Sequence, residues 1–123
     1  EMAVLTQIDY SREMAFIATT MTADGEELTL GAVRASIDPD NTEAEFAMAV
    51  RSNYQGIGLG KLLLEKLIAY YKTNNTPFLM GFTMFENRNM ANLAKSLGFT
   101  VSFDMEEHLI KMHMDLRTKA EDK

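Results

Sequence analysis

A chain of 123 residues with a net charge of −6 at pH 7 and no cysteine is about one domain long and large enough to bury a real core. The missing cysteines exclude a disulfide framework, a thiol nucleophile and a thiolate-bound metal, and they fit a reducing cytoplasm. Lys and Arg are scattered, which argues against a nucleic-acid partner; no apolar run reaches the ~18 residues of a membrane span and no signal-peptide pattern opens the chain.

The acidic balance suits a cationic acceptor such as an amine. The chain opens Glu1-Met2-Ala3 and closes on the polar run Thr118 to Lys123. It is expected to be a single domain over residues 1–123, cut from a longer protein, with 118–123 as a frayed tail.

In chain order, Met14 to Thr20 has the β-branched and aromatic content of a strand. The Asp24-Gly25 turn leads to a second strand over Leu28 to Ile37, completing an antiparallel hairpin. Asp38-Pro39-Asp40-Asn41 is the next turn. Glu43 to Val50 alternates: Ala44, Phe46, Met48 and Val50 share one face, and Glu43, Glu45, Ala47 and Ala49 share the other. The second face carries small side chains and two carboxylates, so a ligand can approach its backbone.

A glycine-rich stretch, Gln55-Gly56-Ile57-Gly58-Leu59-Gly60, then opens a helix running to about Lys72. Leu59, Leu62, Leu63, Leu67, Tyr70 and Tyr71 form its apolar stripe. Asn74-Asn75-Thr76-Pro77 ends it. Phe78 to Met84 is nearly continuous apolar sequence and is expected to be a strand buried on both faces. Asn87 caps a second helix with Met90, Leu93, Ala94 and Leu97 on its stripe, and Gly98 stands where a left-handed C-terminal cap belongs. Thr100 to Phe103 and His108 to Leu116 close the chain as strands. The fold class is α/β with a mixed sheet.

The glycine stretch fails two common phosphate motifs. Gln55 replaces the first glycine of a P-loop and Leu62 its Ser or Thr, while Lys61 replaces the third glycine of a dinucleotide fingerprint. What remains is a strand, a glycine-rich backbone and a helix start, whose free amides and dipole favour an anion. A turn that feeds an amphipathic helix and binds nothing has the same residues.

Two spaced motifs carry a resemblance. Gln55 to Gly60 is similar to the Gln/Arg-x-x-Gly-x-Gly/Ala signature of the GNAT N-acetyltransferases, and Met48 to Tyr54 resembles the strand and loop that precede it. Asn87 to Phe99 resembles the family's second motif, an Asn-led helix ending in Leu-Gly-Phe. The resemblance runs from about Arg12 to Leu116. It implies the GNAT acyl-CoA N-acyltransferase fold, here lacking the family's first strand and helix. It implies acetyl-CoA as acetyl donor and no metal. It places the pantetheine arm along Met48, Ala49 and Val50, with a backbone amide near Met48 facing the thioester oxygen. The pyrophosphate falls to the amides of Gly56, Ile57, Gly58, Leu59, Gly60 and Lys61, with Gln55 and Asn87 as further cofactor contacts. Leu5 to Ala15 resembles the entry to the acetyltransferase domain of bacterial protein-lysine acetyltransferases, which implies a protein lysine as acceptor and an acyl-CoA-synthetase-like region in the parent chain.

Acetyl transfer to an amine needs a neutral amine, hence a base for the ammonium proton. Glu45 is the candidate, on the small-residue face and before the glycine stretch by about the interval of the family's glutamate base; partial burial there would suit the task. Glu43 is the runner-up. The tyrosine that many members place four residues before the second motif's glycine, as acid for the thiolate, is Ala94 here, so no general acid is assigned. His108 and His113 read as ordinary strand residues on opposite faces. Acetylation of a small amine, and a non-catalytic acetyl-CoA sensor, are the other readings.

Overall fold

The computed structural model describes residues 4–51 and 58–117. Alternation in the first half of the chain produces four strands joined by tight turns: β1 (Val4–Asp9), β2 (Glu13–Met21), β3 (Glu27–Ile37) and β4 (Glu43–Val50). Gly25 makes the β2–β3 turn at φ +84°, a conformation open to glycine without steric cost. Asp38 makes the β3–β4 turn: its Oδ1 accepts from the amides of Thr42 at 2.7 Å and Glu43 at 3.3 Å. Then come α1 (Leu59–Thr73), β5 (Phe78–Met84), α2 (Arg88–Ser96), β6 (Thr100–Asp104) and β7 (Leu109–Asp115). The seven strands form one sheet in the order β1-β2-β3-β4-β5-β7-β6. Every neighbour pair is antiparallel except β4 with β5, which run parallel.

One core cluster joins Leu63, Leu64 and Leu67 of α1 and Met90 and Ala94 of α2 to Phe46, Leu79 and Met112 of the sheet, so both helices cover the same sheet face. Each of the three α1 leucines is fully enclosed, which contributes about 1.5–3 kcal/mol apiece. α2 is closed at both ends by the residues its sequence advertised. Asn87 caps the start. At the end, Gly98 adopts φ +104°; its amide bonds to the Lys95 carbonyl at 3.1 Å and the Phe99 amide to the Ala94 carbonyl at 2.9 Å, the paired bonds of a Schellman motif.

Four expectations need correction. The sheet has an additional strand, β1, paired in register from Val4↔Thr19 to Asp9↔Met14, where the sequence reading assigned none. Its Asp9 carboxylate faces Tyr70 of α1; burial, then hydrogen bonding to Asp9, then the carboxylate's charge push the Tyr70 pKa up. β5 is buried on one face only: Leu79 and Gly81 are buried, while Phe82 and Met84 are exposed on the face that neither helix covers. On α1 it is Leu64 that enters the core, and Leu62 is exposed. His108 lies outside the strand, in the β6–β7 turn at φ +56°.

Candidate functional site

β4 and β5 are paired over only four positions, from Glu43↔Phe78 to Phe46↔Gly81. Beyond that point β4 runs on to Val50 and β5 to Met84, so the two strands diverge as a fork. A glycine sits at the last paired position for a steric reason. A Cβ on Gly81 would lie 2.7 Å from two ring carbons of Phe46 and 2.9 Å from its carbonyl oxygen. The Phe46 ring therefore rests on the bare Gly81 backbone and packs beside Phe99, with ring centroids 5.6 Å apart.

The fork opens on the helix side into a cleft of about 610 Å³, within the usual range of small-molecule sites. Met48, Ala49 and Val50 form its β4 wall; Gly58, Gly60 and Lys61 supply the start of α1; Asn87, Asn89, Met90 and Leu93 supply α2. Gly60 brings the helices and strand together, since a Cβ there would meet Leu93 Cδ2 at 3.2 Å and Met48 Cε at 3.3 Å.

The α1 N-terminus has the character of an anion site. Gly58 is its N-cap at φ +88°, no side chain among the described residues caps the helix, and its first turn has no acidic residue. The first intrahelical bond to Gly58 comes from the Leu62 amide, so the amides before it are the ones a helix leaves for an external acceptor. Lys61 adds a positive charge at the same end. Gln55, Gly56 and Ile57 lie outside the described residues. The structure thus brings together Met48, Ala49, Val50, Gly58, Gly60, Lys61 and Asn87 around one cleft, with Leu59 turned into the core.

Glu45 is placed differently. It is exposed, on the sheet face away from both helices, and the partial burial expected for it is not found because that face has no helix over it. It lines a separate depression of about 450 Å³ with Tyr10, Glu13, Arg34 and Ser36. Its register partner on β5 is Met80, one step before the fork opens. Glu43 is half-buried and already engaged, 3.7 Å from His113 Nε2. Ala94 is wholly buried and lines neither depression. Among the described residues no cluster of three or more His, Asp or Glu side chains is arranged to hold a metal, and no helix is long and apolar enough to cross a membrane.

The sequence reading missed Asn89, Met90 and Leu93 as cleft residues. Asn89 and Leu93 are four apart on α2, and that spacing puts both on one flank of the helix.

Comparison with known proteins decides the family. The profile of the acetyltransferase (GNAT) family matches residues 2–99. The chain belongs to the GNAT acetyltransferase family. Members of this family take their acetyl group from acetyl-CoA. The curated relative acetyltransferase PA5475 of Pseudomonas aeruginosa is 30% identical over 109 residues, which cover 89% of this chain and 58% of that protein; the chain thus spans a little over half the length of this relative. The fold recurs in the GNAT domain of S. lividans PAT, with a TM-score of 0.70 at 23% identity over 89% of this chain and 64% of that one. It recurs also in the ribosomal-protein-S18-alanine N-acetyltransferase of Escherichia coli, with a TM-score of 0.69 at 22% identity over 94% of this chain and 76% of that one. The forked parallel pair and the start of α1 line the cleft of this GNAT chain.

Proposed function

We propose that this chain transfers an acetyl group from acetyl-CoA to the amine of a lysine side chain on a protein, by direct attack in a ternary complex. The observation that carries the reading is the fork between β4 and β5, with a helix N-terminus that no side chain among the described residues caps at its mouth. An extended amide-bearing arm can lie along a strand that has lost its ladder partner, because strand backbone offers regularly spaced donors and acceptors. A pyrophosphate can settle on the uncapped amides of α1, with Lys61 balancing its charge. Bound acetyl-CoA supplies an activated acyl carbonyl; positioning of the two substrates and removal of the ammonium proton fall to the protein.

Glu45 supports the other half of the reaction. It stands at the root of the fork on the opposite face, with no hydrogen-bond or ion-pair partner among the described residues. In this reading the donor enters from the helix side and the amine from the bare side. Glu45 takes the ammonium proton, the neutral amine attacks the thioester carbon, the C–S bond breaks to release the thiolate, and the acylated nitrogen gives its second proton to water. With Ala94 in the core, protonation of the thiolate falls to water. The resemblance of Leu5 to Ala15 to the entry of protein-lysine acetyltransferase domains supports a protein lysine; the fold itself recurs in a PAT domain and in spermidine/spermine acetyltransferases alike.

The test has two stages. Acetyl-CoA should raise the melting temperature by linkage, and Gly58→Glu should abolish the rise by placing a carboxylate where the anion binds. A panel of proteins and small amines, assayed for CoA release with the full-length parent, then identifies the acceptor. A Gly58→Glu variant stabilised like the wild type would remove the cleft from the argument. CoA release with small amines alone would replace lysine as the acceptor.

A further inference from the structure

Asn87 lines the cleft, yet its side chain is already held by two hydrogen bonds. Its Oδ1 accepts from the Met90 amide at 3.1 Å, the bond that caps α2. Its Nδ2 donates to Thr83 Oγ1 at 3.1 Å. Capping uses only the oxygen, so a Ser, Thr or Asp would serve as well. The Thr83 bond does something else: it fixes which end of the planar amide faces the strand. A primary amide nitrogen carries two hydrogens in one plane. With the oxygen pinned to the helix and one hydrogen pinned to Thr83, the direction of the second hydrogen is determined.

Thr83 is well placed for this. It lies two residues past Gly81 on the part of β5 that has parted from β4, it is half-buried, and it shares the helix-facing side with Leu79 and Gly81. Its hydroxyl is therefore presented to the start of α2 beside the opened fork.

We propose that Thr83 is a positioning residue for Asn87: by accepting one Nδ2 hydrogen it aims the other at a carbonyl oxygen of the amide-bearing arm of CoA in the cleft. The proposal rests on the acetyl-CoA reading above. The family resemblance already implies a contact of Asn87 with the cofactor; what is added is its dependence on Thr83, a strand residue that no sequence motif contains.

Binding of CoA by calorimetry tests it. Thr83→Val keeps the shape and removes the acceptor; it should weaken CoA about 3–10-fold, the worth of one oriented hydrogen bond, and Thr83→Ser should restore the affinity. Adenosine 3′,5′-bisphosphate, which lacks the arm, should bind all three proteins alike. Asn87→Asp keeps the cap oxygen and has no N–H; on that background Thr83→Val should have no further effect on CoA. If Thr83→Val melts far below the wild type, Thr83→Ala carries the same expectation. Wild-type CoA affinity in the folded variant, an equal loss for the bisphosphate, or an additive loss on Asn87→Asp would each overturn the proposal. A wild-type chain that binds no CoA would sink the cofactor reading itself and is separately recognisable.

Discussion

Gly81→Ala tests whether the fork starts where it does because one residue has no side chain. The added Cβ would meet the Phe46 ring at 2.7 Å and the Phe46 carbonyl oxygen at 2.9 Å. Neither neighbour yields cheaply. The oxygen is strand backbone, and the ring is 3% exposed and packed on Phe99. Overpacking of this kind costs about 1–3 kcal/mol, and loosening the aromatic pair adds about 0.5–1.5 kcal/mol, so the expected loss is about 2–4 kcal/mol. Gly81 is not among the glycines of positive φ, so none of this is backbone strain. With an unfolding entropy of about 2.1 cal/mol/K per residue, 123 residues give ~0.26 kcal/mol/K and a melting temperature lower by roughly 8–15 °C. Thermal and urea unfolding measure it. Gly25→Ala is the control: it carries φ +84° with nothing within 4 Å of an added Cβ, so only left-handed strain of about 1–2 kcal/mol applies. A Gly81→Ala protein that melts within about 2 °C of the wild type, or above Gly25→Ala, would refute the steric account of the fork.

Glu45→Gln should leave CoA affinity nearly intact and lower turnover ~10²–10⁴-fold, with partial recovery at high pH where more of the amine is already neutral; normal acetylation would dismiss Glu45 as the base. Tyr71, 3% exposed, has its pKa pushed up to about 12 by burial, then by Tyr70 and Asp9. The folded state thus holds this proton more tightly than the unfolded chain, so the contribution is complete below pH ~10 and is lost as pH rises from there to about 12. Melting curves from pH 9 to 11 should show the wild type losing stability faster than Tyr71→Phe, and parallel losses would contradict the assignment.

What could be read from the sequence was what local chemistry decides. Asn87 and Gly98 bracket α2 because a cap needs a short acceptor side chain and a left-handed residue favours glycine, and both requirements are visible one residue at a time. The β4 alternation is equally local: the burial of Ala44 and Phe46 against the exposure of Glu45 and Ala47 follows from the two-residue period. The misses concern what covers a surface. β1 has four exposed residues of six, as an edge strand does, so it left no apolar signal. β5 looked buried on both sides because Phe82 and Met84 are apolar, but nothing in their own sequence says that both helices pack on the other face. The environment of Glu45 was misjudged for the same reason. The partnership of Asn87 with Thr83 joins a motif residue to one outside any motif, and only the fold brings them together.

The fork has a further consequence, in the order of assembly. β1 to β4 is a meander of short turns, and β5, β7 and β6 form a second antiparallel unit. Each strand of the first set finds its neighbour across a few residues. β4 and β5 meet only after the whole segment containing α1 has been closed into a loop, and that closure carries an entropy that grows with loop length. Four paired positions, the Phe46 ring on Gly81 and Phe99 and the shared helix core offset it. Long-range pairings of this kind are the slow ones in folding. The strands that part to admit a ligand are therefore, with β5 and β7, among those that meet across the longest stretches of chain.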